Sequence, residues 1–147
     1  DPSPKLFIGA AEVPTQGKPN PEKILNKINS GVDFFQTQYV FDAKVLSEYM
    51  KVLGDEGILE KTNFIIGLGP FASAKSAKWM NDNLFGVDVP EQIIKRLEGV
   101  KDQKDESKKI CIELIESFRN IRGVKGVHLM GHRKEEVISE IIKESKK

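Results

Sequence analysis

Four short apolar runs, Leu6–Ala11, Phe34–Val40, Asn63–Leu68 and Val124–Met130, are each followed by a stretch whose apolar residues recur at helical spacing. A strand without a polar face belongs in a sheet covered on both sides, and strands that alternate with helices pair in parallel through right-handed crossovers. The predicted class is α/β, made of (βα) units of a TIM-type barrel with four strands present. Four parallel strands also suffice for a small open sheet. A closed barrel needs eight units and usually roughly 250 residues, whereas this chain has 147. A half barrel leaves two unpaired strand edges and exposes the residues meant for the interior. The expectation is therefore a half barrel, or a fragment of a (βα)8 barrel, that needs a second copy or a missing N-terminal half. The opening residue, Asp1 rather than Met, favours the missing half.

The local signals agree with this alternation. Pro14–Pro21 reads as a loop, and Asn20 is placed to cap a helix with Pro21 in its first turn. That helix, Pro21–Asn29, carries Ile24, Leu25 and Ile28 on one face and ends at Ser30-Gly31. Asp42 can cap Ala43–Gly54. Further helices are predicted over Ser73–Asn83, from Val89-Pro90 to about Leu97, over Asp105–Asn120 and over Glu135–Lys146. Gly99–Lys104 is polar and reads as a turn or a frayed helix end.

Charge and cysteine use narrow the function classes. The net charge of +1 gives no general attraction for nucleic acid or an anionic membrane, although one or two cations still suffice for a local phosphate site. No apolar run approaches the roughly 18–20 residues of a membrane span. The lone Cys111 falls on an apolar helical stripe, has no internal disulfide partner, and points to a reducing, cytoplasmic compartment. Glycine-rich nucleotide loops, a Ser-His-Asp order and metal-ligand spacing are all missing from the sequence.

In parallel α/β folds, ligands sit at the C-terminal ends of the strands. Those ends bring forward Ala10, Ala11 and Glu12; Thr37, Gln38 and Tyr39; Gly69, Pro70 and Phe71; and His128, Met130, His132 and Arg133. Alternation along the second strand puts Gln36 and Gln38 on one face, with Phe35 and Thr37 on the other. Two amides on one face of a central strand are costly to bury without partners. They either plug the barrel floor as a polar network or meet the edge of a heterocycle such as a pterin or flavin, which offers donors and acceptors alike. His128 is either a core histidine with one hydrogen bond or a ligand and acid–base group. His132 and Arg133 begin a helix or meet a phosphate or carboxylate. Lys27 and Glu12 read as solvated charges, Phe71 and Trp79 as packing residues.

Several stretches together resemble the C-terminal half of the methylenetetrahydrofolate reductase family. They are IGAAEVP, KINSGVDFFQTQYVFD, the GLGP turn, VDVPEQII and GVKGVHLM. The last of these is similar to the reductases of anaerobic one-carbon metabolism. The resemblance covers nearly the whole chain, 1–147, and is most specific over Gly31–Asp42. It implies a (βα)8 barrel with FAD at its strand ends, of which this chain is the C-terminal part. The implied reaction reduces 5,10-methylenetetrahydrofolate to 5-methyltetrahydrofolate with electrons from NAD(P)H or a redox partner protein. It also implies substrate contacts by Gln38, by the turn that ends in Phe71, and by Arg133. Ala10, Ala11, Glu12 and Lys27 would contact FAD.

The sequence departs from the family pattern in places. The family's catalytic acids lie in its N-terminal half and nothing here matches them, so the catalytic residues are unknown. The basic pair before Gly31 is Asn26-Lys27, an expected aromatic aligns with Ala74, and Met130–Arg133 is one residue short. An alternative is thus a non-catalytic folate- or flavin-binding or assembly module; a further one is a methyltransferase-like barrel that uses the same folate site without flavin.

Overall fold

A computed structural model describes residues 3–14 and 18–147. Its elements follow the order β1 (Gly9–Glu12), α1 (Pro21–Asn29), β2 (Phe34–Tyr39), α2 (Ala43–Asp55), a 3-10 turn (Ile58–Glu60), β3 (Asn63–Leu68), α3 (Ala74–Asn83), α4 (Glu91–Glu98), α5 (Gln103–Arg119), β4 (Val124–Leu129) and α6 (Glu135–Ser145). The sheet is parallel throughout, in the order β1-β2-β3-β4. A doubly wound sheet reverses its strand order to place helices on both faces; here each strand adds beyond the last, which keeps the crossovers on one side. The fold is α/β with the winding of a TIM-type barrel fragment. Among the described residues, no helix is long and apolar enough to cross a membrane.

The predicted caps form. Asn20 Oδ1 accepts from the Lys23 N–H at 3.0 Å, and Asp42 Oδ1 accepts from Lys44 and Val45 at 2.9 and 3.2 Å. Ser73 and Ser76 cap α3 reciprocally, and Asp102 caps α5, so the polar segment before Asp105 contributes the first helical residues from Gln103 on. The loop predicted over Pro14–Pro21 lies partly outside the described residues.

The core occupies the helical side of the sheet. Phe35, Phe64, Ile66 and Leu68 are fully buried there against Leu46 and Leu53 of α2 and Phe118 of α5. Each such side chain removed from water contributes about 1.5–3 kcal/mol. Cys111 is buried in the same layer.

The first strand departs from expectation. Pairing with β2 begins only at Gly9 opposite Phe34, and Leu6, Phe7 and Ile8 lie outside it, 72%, 76% and 43% exposed. β1 is an edge strand, and of the apolar run before Gly9 Phe7 stacks on Phe34 at 5.1 Å while the Ile8 carbonyl accepts from the Asp33 N–H at 2.7 Å.

β2 carries a bulge. Gln36 pairs with Ile65 but Tyr39 pairs with Gly67, one residue more on β2 than on β3. The Thr37 hydroxyl bridges the gap: it accepts from the Gly67 N–H at 2.9 Å and donates to the Gln38 carbonyl at 2.8 Å. Gly67 is required at this approach, because a Cβ there would stand 2.5 Å from the Thr37 carbonyl oxygen. Bulges of this kind re-aim the side chains at a strand end.

Candidate functional site

The register places Ala11, Gln36, Ile65 and Gly126 side by side across the four strands, with Gly67 and His128 one step further along. These residues alternate with the buried core residues, so they belong to the face opposite the helices. At its β1–β2 end this face holds a hollow of about 600 Å³ lined by Gly9, Ala10, Ala11, Glu12, Phe34, Gln36 and Gln38, among others. The structure thus brings together Ala10, Ala11, Glu12 and Gln38. Small side chains from β1 floor the hollow and two amides from β2 border it.

The two amides differ in what they touch. Gln38 is held at both ends: its Oε1 accepts from the Tyr39 N–H at 2.9 Å and its Nε2 donates to the Phe85 carbonyl at 3.0 Å. It therefore fastens the loop after α3 to the strand end. That loop turns at Gly86 (φ 76°), whose Cβ position is occupied by Val13 at 2.3 Å. Gln36 reaches instead across β3 to His128, with its Nε2 2.6 Å from Nδ1. The sequence marked both residues without pairing them, since they stand 92 positions apart.

Lys27 reaches the end of β1 from α1. Its Nζ donates to the Ala11 carbonyl at 2.9 Å and to Glu12 Oε1 at 2.7 Å, and it lies 5.8 Å from the Phe35 ring centroid. Neither charge is the solvated surface group that each resembles in isolation. The Tyr49 hydroxyl also donates to Glu12, at 3.4 Å. Burial, helped by the Glu12 carboxylate, holds the Tyr49 phenol well above its ordinary pKa, so it remains a donor. Sequence reasoning missed Tyr49 because it sits on the apolar stripe of α2, where an aromatic reads as core.

A second cavity of about 590 Å³ brings together Phe71 and Arg133, with Lys104, His132 and Lys134 as further lining. Phe71 is only 2% exposed and packs against Phe41 at 4.6 Å, while its N–H donates to the buried Ser107 hydroxyl at 2.6 Å. Arg133 is exposed on a left-handed backbone, φ 55°. Lys134 donates to the Pro70 carbonyl, and burial lowers its pKa. Phe71 and Arg133 thus belong to a different cavity from Gln38.

The methylenetetrahydrofolate reductase family model matches residues 15–146. No curated protein matches the sequence. Among solved structures, the chain is similar to an uncharacterized protein from Clostridium thermocellum that binds two copies of 5-methyl-5,6,7,8-tetrahydrofolic acid, at 22% identity and a TM-score of 0.63. The alignment covers 96% of this chain and 53% of that one, so the chain spans about half of its neighbour's length. With a family match that takes in every helix and three of the four strands, the chain belongs to the methylenetetrahydrofolate reductase family.

Proposed function

We propose that this chain is the C-terminal part of a flavin-dependent oxidoreductase that reduces 5,10-methylenetetrahydrofolate to 5-methyltetrahydrofolate. The observation that carries the reading is the hollow that runs along β1 and β2 and reaches their C-terminal ends, where small residues floor a space of about 600 Å³ bordered by Gln36 and Gln38. A rigid scaffold with a few convergent polar groups is the usual form of a small-molecule site. Family membership and a structural neighbour described as binding 5-methyl-5,6,7,8-tetrahydrofolic acid support a folate as the ligand. In this reading Gln38 borders the pterin, the turn at Phe71 faces the folate, and Arg133 meets a carboxylate of its tail. The buried, unpaired Cys111 suits a cytoplasmic setting.

The residues near β1 fit a flat flavin ring, since Ala10 and Ala11 carry only a methyl group each towards its approach. Ala10, Ala11 and Glu12 would border FAD, and Lys27 would turn one N–H to its diphosphate while keeping the Glu12 pair. Bound FAD would supply hydride transfer, with NAD(P)H or a redox partner protein as the electron source. The chain's own part is to orient ring and folate. The unpaired outer edges of β1 and β4 support completion of the barrel by an N-terminal half or a second copy.

A second reading, a folate-binding module without catalysis, is favoured by one observation. Glu12 is the one titratable residue that lines the hollow among the described residues, and Lys27 and Tyr49 already hold it. One experiment separates the two. Purified protein is mixed with FAD, its absorbance followed near roughly 450 nm, and 5-methyltetrahydrofolate binding is measured by calorimetry. Flavin uptake with turnover of methylenetetrahydrofolate supports the reductase. Folate binding without flavin supports the module, and binding of neither refutes both.

A further inference from the structure

We propose that Lys134 is a site of acylation on Nζ by an acyl phosphate that enters the cavity beside Phe71 and Arg133. The site stands on a cluster of basic groups without counter-ions. Lys104 from the start of α5, and His132, Arg133 and Lys134 from the segment after β4, line one space of about 590 Å³. Among the described residues none of the four pairs with a carboxylate. Glu135 and Glu136 line it as well, but both are exposed and neither forms an ion pair. Cations gathered without partners favour an anion, and a phosphate offers them several acceptor oxygens.

Lys134 differs from the other three. It is half-buried, whereas they are exposed. Its Nζ donates to the carbonyl of Pro70, which lines the same cavity. That bond uses one N–H and holds the nitrogen at the wall. Burial lowers its pKa, so the ammonium gives up a proton more readily than a solvated lysine does. The neutral amine keeps its bond to Pro70 and has a lone pair for attack. The nitrogen bonds to the acyl carbon, and the bond from that carbon to the phosphate oxygen breaks. Phosphate leaves with the bonding pair and takes up the proton that the nitrogen releases. The amide product retains one N–H, which can still donate to Pro70. The step needs neither flavin nor folate, and it removes one positive charge from the cavity.

The test is acetylation of the folded protein by acetyl phosphate, followed site by site with peptide mass spectrometry. Lys134 should be modified several-fold faster than Lys51 and Lys125, which are exposed and carry no ion pair. Exposure alone would put those two first. Inorganic phosphate should slow the reaction at Lys134 and leave Lys51 unchanged. Arg133→Asn, which tolerates the left-handed backbone at this position, should slow it likewise. If that variant does not fold, Lys104→Gln, at an exposed position, should show the same effect. Acetic anhydride carries no phosphate, so it should acetylate Lys134 equally in wild type and variant. Modification of Lys134 no faster than of Lys51, a rate indifferent to phosphate and to the variant, or an equal loss with both reagents overturns the inference.

Discussion

Lys27 Nζ holds the end of β1 twice, through the Ala11 carbonyl at 2.9 Å and the Glu12 carboxylate at 2.7 Å. Helix α1 is thereby fixed to the strand end that floors the hollow. The pair is only partly screened by water, with side-chain exposures of 28% for Lys27 and 12% for Glu12.

Removal of the amine should therefore matter more than at an open surface. Lys27→Met leaves Glu12 with Tyr49 alone and should lower stability by about 1–2 kcal/mol, between the values for exposed and buried pairs. Urea unfolding reads this as a lower midpoint. Adding Glu12→Gln should recover part of the loss, because a neutral amide tolerates the lost partner. An unchanged midpoint in the single variant would show that the pair contributes nothing.

Gly67→Ala should disrupt the bulge. The new Cβ would stand 2.5 Å from the Thr37 carbonyl oxygen and 2.8 Å from that of Gln38, both backbone atoms that cannot swing aside. A loss of about 1–3 kcal/mol is expected, as for overpacked sites. Hydrogen exchange should show faster exchange of the Gly67 and Tyr39 amides. Gly126→Ala, where a Cβ meets nothing within 4 Å, is the control.

Cys111 gives stability an alkaline dependence. Burial pushes its thiol up from 9.0 to about 12 in the folded protein. Between those values the unfolded chain loses the proton and the folded chain keeps it, so the unfolded state binds fewer protons and stability falls as pH rises. The contribution is fully present below pH 9.0 and declines towards pH 12. Cys111→Ala should flatten the decline of melting temperature across this window relative to wild type. The native thiol should also resist iodoacetamide at pH ~8, where reaction needs the thiolate, and react once urea unfolds the chain.

Phe71→Ala should act on stability first. The ring is buried against Phe41, and its removal should cost about 3–4 kcal/mol by transfer and cavity terms. Phe71→Leu keeps most of the volume and should cost less. If the ring also contacts folate, the Leu variant will lose affinity beyond its change in melting temperature; equal melting and equal affinity would confine Phe71 to packing.

The sequence makes β2, β3 and every α-helix legible, because caps and periodicity are local signals: Asn20, Asp42 and Ser73 begin the helices they were expected to begin. β1 begins at Gly9, three residues after the apolar run starts, since hydrophobicity cannot tell an interior run from one left exposed at an edge. The candidate site was legible by position along the strands and not by partnership. Alternation places Gln36 and Gln38 together, yet their different partners, His128 and Phe85, are brought to them only by the tertiary structure. The bulge at Thr37 has no sequence signature beyond a hydroxyl between two amides.

The strand order β1-β2-β3-β4 also bears on how the chain folds. Every ladder joins strands consecutive in sequence, so no strand waits for a distant segment, and each pairing closes a loop of a single crossover. Such a chain can add its units in turn, each new strand docking on an edge already made. Loop-closure cost is then met one crossover at a time. The slowest of these steps should be the addition of β4, because the crossover from β3 carries three helices, α3, α4 and α5, and is the longest in the sheet.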